Sequence, residues 1–244
     1  MSRNFDLLAQ IEMKSGSSDQ ASGSPIHNAS IMPIPSNDGG VDRSDETLRL
    51  VQRIFLSANG HAPRQVVLCG VDQENGSSSI CAAAGLTLAA NSSRPVCLVD
   101  ANVRSPGLSS KFGIDGTAPF SGTSAPLREQ CVKVGGNLWL ASSNILADNG
   151  RVLLPVNELK ERLAQLREMF GYVLIDAPGT SVCGDAQLLG QVADAVVLVI
   201  EANSTRRLTA RHAKESFDAA GVRLLGTVLH NRSFPIPEKL YRRL

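Results

Sequence analysis

A glycine followed by three serines stands where a predicted strand meets a predicted helix. These residues are Gly76, Ser77, Ser78 and Ser79. The strand is the apolar run Gln65 to Val71, and the helix is the small-residue stretch Ser78 to Ala90. Backbone N–H groups and the positive dipole end at such a junction favour an anion, usually a phosphate. The phosphate-loop pattern G-x-x-x-x-G-K-[ST] has a lysine after its second glycine to reach the outer phosphates, and Ser77 occupies that place.

Two aspartates stand at the ends of predicted buried strands that follow this loop. Asp100 closes the apolar run that starts at Pro95, and Asp176 closes the run YVLID. Because the carboxyl ends of parallel strands meet at the ligand crevice of a sheet, we expect both carboxylates there. Asp100 is predicted to ligate Mg²⁺ through water or to act as a base, with a helix cap as the alternative. Asp176 has the placement of an aspartate that orders Mg²⁺ and its water, whereas Asp185 is predicted to cap the next helix.

The rest of the chain alternates apolar strands with amphipathic helices. Further strands are predicted at Asn137 to Ala141, Ala195 to Ile200 and Leu224 to Leu229. Helices are predicted at Asp45 to Ala58, Leu108 to Phe112, Val156 to Phe170 and Arg206 to Ala220. This alternation predicts βαβ units, and therefore an α/β fold with a doubly wound, mostly parallel sheet.

The first 44 residues differ in composition from the remainder. Residues 14 to 44 are rich in Ser, Gly, Asn, Asp and Pro, a composition that favours a flexible linker. Residues 3 to 13 have apolar side chains at helical spacing and form either a short amphipathic helix or a frayed tail. We therefore predict two parts, a tail at 1–44 and one folded domain at 45–244.

Bulk composition excludes several classes of function. The net charge is +1 over 244 residues, which gives no electrostatic argument for nucleic acid or an anionic membrane. No apolar run reaches the roughly 18 residues that span a bilayer, and no signal-type segment is present, so a cytoplasmic location is expected. The five cysteines form no C-x-x-C pair and are predicted to be buried, reduced thiols.

Three longer stretches match the motifs of one known family. VDANVRSPGLSSKFGI is similar to the pattern VDxDxRxPxLxxxFG, and FGYVLIDAPGTSVCGDAQLL is similar to FDYVIIDxPP followed by a DA pair. ADAVVLVIEANSTRR with AAGVRLLGTVLHNR is similar to a closing strand, helix and strand. From about residue 45 onward the chain thus resembles the bacterial protein-tyrosine kinases of capsule and exopolysaccharide biosynthesis. These are MinD/ParA-like P-loop ATPases with a deviant Walker A motif.

The resemblance implies a role for each matching residue, with ATP or ADP and Mg²⁺ as cofactors. Asp100 would assist Mg²⁺ and phosphoryl transfer, and Asp176 would hold the metal through water. Arg104 would stand at the basic position of the second motif. The phosphate cradle would comprise Gly76, Ser77, Ser78 and Ser79, with Ser78 supplying the metal-binding hydroxyl. The implied partner is the cytoplasmic part of a membrane polysaccharide copolymerase or export protein, which would place the chain at the inner membrane peripherally.

Several positions depart from the family pattern. Ser77 replaces the phosphate-binding lysine. The family's asparagine near the adenine pocket falls at His230, with Asn231 one place later as the candidate for contact with nucleotide. The family's tail carries a cluster of tyrosines, whereas Tyr241 is the single phosphoacceptor candidate here because Tyr172 lies in a predicted buried strand.

The first predicted helix carries part of the family's ring-forming pattern E-x-x-R-x-x-R. Glu46 and Arg49 match, Gln52 replaces the second arginine, and Arg53 is adjacent. Glu46, Arg49 and Arg53 are therefore candidate residues of a homo-oligomer interface. The alternative is a solvated charged face.

Three hypotheses for function remain open at this point. The first is a degenerate, largely inactive kinase-like protein that regulates polysaccharide export or chain length. The second is an active ATPase or tyrosine kinase with a substitute cation, from Arg104, Arg206 or a neighbouring subunit. The third is a MinD/ParA-like positioning factor that binds a partner or a membrane through its termini.

Overall fold

The main sheet contains seven strands. The computed structural model describes residues 43–55, 62–73, 75–114, 126–148 and 152–231. The strands are β1 (Gln65–Gly70), β2 (Val96–Asp100), β3 (Cys131–Gly135), β4 (Leu138–Ala141), β7 (Tyr172–Ala177), β8 (Ala195–Glu201) and β9 (Leu224–His230). Their order across the sheet is β3-β4-β2-β7-β1-β8-β9. Every pairing in this sheet is parallel except that of β3 with β4. The predicted α/β fold with a mostly parallel sheet is therefore confirmed.

Six α-helices connect or flank these strands in the described part of the chain. They are α1 (Arg43–Phe55), α2 (Ser77–Asn91), α3 (Leu108–Lys111), α4 (Val156–Met169), α5 (Asp185–Val192) and α6 (Arg207–Ala219). Two short 3₁₀ turns lie at Leu127–Gln130 and Ser143–Ile145, and a small hairpin pairs β5 (Ala147–Asp148) with β6 (Val152–Leu153).

The observed elements match the predicted ones except at a few places. Strand β3 and the β5–β6 hairpin were not predicted. The prediction that Asp185 caps a helix is wrong, because Gly184 occupies the cap position and Asp185 is the first residue of α5. There the carboxylate still suits the positive end of the helix dipole. The predicted tail at 1–44 falls almost wholly outside the described residues, as does the predicted end of the first helix.

The central strands are continuous apolar runs because helices cover both of their faces. All six residues of β1 are buried. On one face α1 contributes Val51, Ile54 and Phe55, and on the other α4 contributes Leu159, Leu163 and Leu166.

Helix α2 lies unusually close to the sheet. A Cβ added at Gly85 would lie 2.5 Å from Cδ2 of Leu98 on β2. Small residues along α2 permit this approach, which explains why the helix carries alanine and glycine rather than a large apolar stripe. The middle of α2 therefore packs directly against β2.

The prediction of buried, free cysteines is confirmed for four of the five and is wrong for the burial of Cys183. All five are free, four of them are buried, and Cys183 is half-buried. None of the helices that the structure describes is both long enough and apolar enough to cross a membrane.

Candidate functional site

The loop between β1 and α2 presents backbone N–H groups at the carboxyl edge of the sheet. Gly76 precedes the helix with φ of 75°, in the left-handed region that favours glycine. The Ile80 N–H donates to the Gly76 carbonyl at 3.0 Å. The N–H groups of Ser77, Ser78 and Ser79 precede that bond and, as in any helix start, lack intrahelical acceptors. The loop can therefore receive an anion.

Neighbouring loops hold this one in place. The N–H groups of Thr180 and Ser181 donate to the carbonyls of Gly70 and Val71 at 3.0 and 2.9 Å. A Cβ added at Gly179 would lie 2.5 Å from the Asp72 carbonyl oxygen, so only glycine permits this approach. The loop following β7 thus fixes the loop following β1.

Asn75 is a second anchor, which sequence reasoning missed. Its buried side-chain amide donates to Thr205 Oγ1 at 3.1 Å, and the same oxygen accepts from the Glu201 N–H at 3.2 Å. This links the loop before α2 to the turn between β8 and α6. The sequence signal was limited to an Asn–Gly pair typical of turns.

The two strand-end aspartates lie side by side, as predicted. Asp100 on β2 is directly opposite Asp176 on β7 in the parallel register. Asp100 is fully buried, and its carboxylate accepts from the Asn102 N–H at 3.2 Å and the Leu108 N–H at 3.0 Å. Burial raises the pKa of Asp100, and these backbone donors partly offset the effect. Asp100 therefore also holds the start of α3, which matches its alternative role as a helix cap.

Asp176 has no comparable support. It is 1% exposed, and neither carboxylate oxygen receives a hydrogen bond of normal geometry from the described residues. Burial raises the pKa of Asp176 to about 7; the Ser78 hydroxyl and the charge of Lys111 lower it, and the charge of Asp100 raises it. A buried carboxylate left in this state is costly unless it is protonated or meets a cation.

The donor set around Asp176 fits Mg²⁺. That ion prefers hard oxygen ligands, keeps several waters and takes few carboxylates together with phosphate oxygens. Asp100, Asp176 and the Ser78 hydroxyl offer such oxygens beside the loop. Among the described residues no group of three or more His, Cys, Asp or Glu side chains is placed to hold a metal ion. A cation here would therefore need the hydroxyl, water and phosphate as well.

Lys111 is a cation at this site that sequence reasoning missed. It is the last residue of α3, and its Nζ donates to Ser79 Oγ at 2.9 Å. Ser77, at the place of the pattern's lysine, is half-buried. A positive charge at the start of α2 thus comes from a different element.

At the end of β9 the structure brings His230 to the loop. A Cβ added at Gly76 would lie 2.6 Å from Nε2 of His230. Asn231 instead donates from its side-chain amide to Glu201 Oε1 at 2.9 Å, at the end of β8. The assignment of Asn231 to nucleotide contact remains a prediction, with His230 closer to the phosphate-type loop.

The second acidic motif contains a departure that sequence reasoning overlooked. Asn102 stands at the second aspartate of VDxDxR, and its side-chain oxygen accepts from the Ser105 N–H at 3.1 Å. It therefore shapes the turn but adds no charge. Arg104 in the same motif is exposed. Burial raises the pKa of the Cys183 thiol, and the charge of Arg104 opposes part of that rise.

The remaining predicted site residues lie away from this edge or outside the described chain. Glu46, Arg49 and Arg53 lie on α1, and all three side chains are exposed. Their role in an interface between copies remains a prediction. Tyr172 is half-buried in β7 with its ring edge-on to Phe55 at 5.5 Å between centroids. Tyr241 lies outside the described residues.

Sequence comparisons find similar proteins in bacteria. The tyrosine-protein kinase YwqD of Bacillus subtilis is 30% identical over 149 residues, which cover 59% of this chain and 62% of YwqD. The tyrosine-protein kinase CpsD of Streptococcus agalactiae is 24% identical over 183 residues, which cover 73% of this chain and 80% of CpsD. The chain is thus similar in sequence to bacterial tyrosine-protein kinases. No family model matches it.

Solved structures show the same fold. The kinase domain of VpsO has a TM-score of 0.64 at 22% identity, covering 78% of this chain and 97% of that domain. The kinase domain of the Escherichia coli tyrosine kinase ETK has a TM-score of 0.63 at 15% identity, covering 80% of this chain and 79% of that one. MinD of Aquifex aeolicus has a TM-score of 0.56 at 17% identity, covering 74% and 72%. The expected P-loop NTPase-like fold of the MinD/ParA type is therefore confirmed.

Proposed function

We propose that this chain binds a nucleotide with Mg²⁺ and regulates capsule or exopolysaccharide biosynthesis or export, with weak or no phosphoryl transfer. One observation carries the proposal: the buried, unsupported Asp176 beside Asp100 and Ser78, at a loop whose lysine position is the neutral Ser77. The first half of this observation favours binding, and the second half opposes catalysis.

Nucleotide binding is supported by groups that act without a lysine. The N–H groups at the start of α2 and the helix dipole attract phosphate, and the fixed loop loses little entropy when it binds. Ser78, Asp100 and Asp176 would hold Mg²⁺, which neutralises phosphate charge when bound.

Fast phosphoryl transfer is opposed by two losses of functional charge. Such transfer depends on positioned groups that stabilise the charge developing on the phosphoryl oxygens. A hydroxyl at Ser77 gives less of this stabilisation than an ammonium group, and Asn102 removes a carboxylate from the second motif. Lys111 is the specific observation that favours the second candidate, an active kinase or ATPase with a substitute cation.

The proposed partner is the cytoplasmic part of a membrane polysaccharide copolymerase or export protein. Support comes from the relationship to tyrosine-protein kinases and from the fold shared with the VpsO and ETK kinase domains. In this proposal the chain is cytoplasmic and reaches the membrane through that partner. The charged side chains of Glu46, Arg49 and Arg53 on α1 are proposed as a contact between copies.

The phosphoryl-transfer half of the proposal is tested with γ-labelled ATP and the purified full chain. We expect label on protein, and release of phosphate, at the level of the Asp100→Asn variant, because the unmodified chain already lacks charge stabilisation. A related active tyrosine kinase serves as the positive control. Tyrosine phosphorylation of the unmodified chain that Asp100→Asn abolishes would instead establish the active kinase.

A further inference from the structure

Lys111 is drawn towards the loop rather than towards solvent. Its side chain is half-buried, and its Nζ donates to the hydroxyl of Ser79 in the first turn of α2. Lysines usually keep their ammonium group in water or pair it with a carboxylate. A hydrogen bond to a neutral hydroxyl stabilises an ammonium group less than an ion pair does. We therefore expect an anionic ligand to bind beside Lys111.

Short helix α3 is anchored so that Lys111 must face the loop. Leu108 and Phe112 bracket the helix and are both buried, and the Leu108 N–H is held by the Asp100 carboxylate. A Cβ added at Gly107 would lie 3.9 Å from Ser78 Oγ, which places the start of α3 beside the start of α2. Lys111 therefore extends from an anchored helix of a single turn.

With both aspartates ionised, the charges at the site balance only when a further cation is present. Asp100 and Asp176 place two carboxylates at one register position, and the charge of Lys111 acts on Asp176. A divalent cation with a phosphate chain would pair the carboxylates with the metal and leave the ammonium for phosphate oxygens. The unsupported Asp176 carboxylate is an independent sign that a ligand belongs here.

The other substitute cations that the sequence offered are less well placed. Arg104 is exposed, and its charge acts on Cys183, beyond the second motif. Arg206 is exposed and precedes α6. Lys111, in contrast, contacts the first turn of α2 directly.

We propose that Lys111 supplies, from α3, the phosphate-binding cation that Ser77 does not supply from the loop. The ligand class is a nucleoside triphosphate with Mg²⁺. This inference rests on the proposed nucleotide binding and adds the residue that makes it effective. It assigns Lys111 to binding of the phosphate chain.

A double-mutant cycle on the full chain tests the assignment, with affinity for a fluorescent ATP analogue as the readout. Lys111→Met is expected to weaken binding about 10- to 150-fold, the usual effect of one charge-assisted contact. Ser77→Lys alone is expected to raise the affinity less than about 3-fold, because Lys111 already supplies the cation. In the Lys111→Met background, Ser77→Lys is expected to recover most of the loss.

Controls separate a phosphate contact from a structural effect. Lys160→Met makes the same chemical change at an exposed position on α4 and should leave the affinity for the ATP analogue unchanged. Lys111→Arg keeps the charge and should retain most of the affinity, which keeps the test decisive if Lys111→Met fails to fold. Binding of fluorescent adenosine, which has no phosphate, should be equal in the unmodified chain and Lys111→Met.

Two results would overturn the inference in distinguishable ways. If the unmodified chain binds the ATP analogue and Lys111→Met binds it equally well, Lys111 is not the cation and the proposed function stands. The same conclusion follows if Ser77→Lys gains equally in both backgrounds. If the unmodified chain binds no ATP analogue, the proposed function and this inference fail together.

Discussion

Asp176→Asn is expected to raise the free energy of unfolding of the ligand-free chain by about 4 kcal/mol at pH 8. In the unmodified protein, burial raises the pKa of Asp176 from 3.8 to about 7. Each pKa unit corresponds to about 1.4 kcal/mol of differential stability. An asparagine of the same shape has no proton to lose and therefore avoids the cost of a buried, unsupported charge.

The sign of the pH dependence follows from the direction of the shift. Between pH of about 4 and about 7 the unfolded chain releases the Asp176 proton, whereas the folded chain keeps it. Rising pH therefore destabilises the fold across this window, and the deficit is complete above it. Urea unfolding at several pH values should show a gap between Asp176→Asn and the unmodified chain that grows from pH 4 to pH 8.

Asp100→Asn is the matched control for this stabilisation. The Asp100 carboxylate accepts hydrogen bonds from two backbone N–H groups. An amide would leave one donor facing another, so no comparable gain is expected. Equal stabilisation by both substitutions, or destabilisation by Asp176→Asn at pH 8, would contradict the conclusion that the buried Asp176 carboxylate lacks hydrogen-bond donors.

Gly76→Ala is expected to lower the free energy of unfolding by about 2–5 kcal/mol and to weaken nucleotide binding as well. An alanine at φ of 75° is strained by about 1–2 kcal/mol. Its Cβ would also lie 2.6 Å from Nε2 of His230, and overpacking of this kind costs about 1–3 kcal/mol. Relief of the clash must displace either the loop or the histidine.

Gly221→Ala separates strain from the clash. Gly221 has φ of 68°, and nothing lies within 4 Å of an added Cβ, so only the strain of about 1–2 kcal/mol is expected. Urea unfolding should show a larger loss for Gly76→Ala, and His230→Ala should remove the excess. Equal losses at the two glycines would mean that His230 moves aside freely, contrary to its close packing against the loop.

The sequence predicts most of the strands because they are buried on both faces. Runs such as those ending at Asp100 and Asp176 are apolar without interruption, and a charged residue marks where each one meets the crevice. Strand β3 escaped prediction because it is an edge strand whose apolar residues alternate with Lys133 and Gly135. Its pairing with β4 is antiparallel, which the alternation of helices and strands did not indicate.

Contacts in the site between segments that are distant in sequence could not be predicted from the sequence. Lys111 lies 32 residues from Ser79, and Asn75 lies 130 residues from Thr205. No local pattern indicates either contact, because each depends on how short elements are oriented. His230 is a related case: β9 continues one residue beyond the predicted strand, and this extension carries the imidazole to Gly76. The motifs located the site, and the fold decided which side chains complete it.

Nucleotide binding by the full chain can be measured directly by titration with a fluorescent ATP analogue, in Mg²⁺ and in EDTA. We expect saturable binding on the order of micromolar affinity that weakens when Mg²⁺ is removed, and a smaller effect of Mg²⁺ in Asp100→Asn. Absence of saturable binding in both conditions would contradict the proposed function, and the fold would then serve as a docking scaffold rather than a nucleotide site.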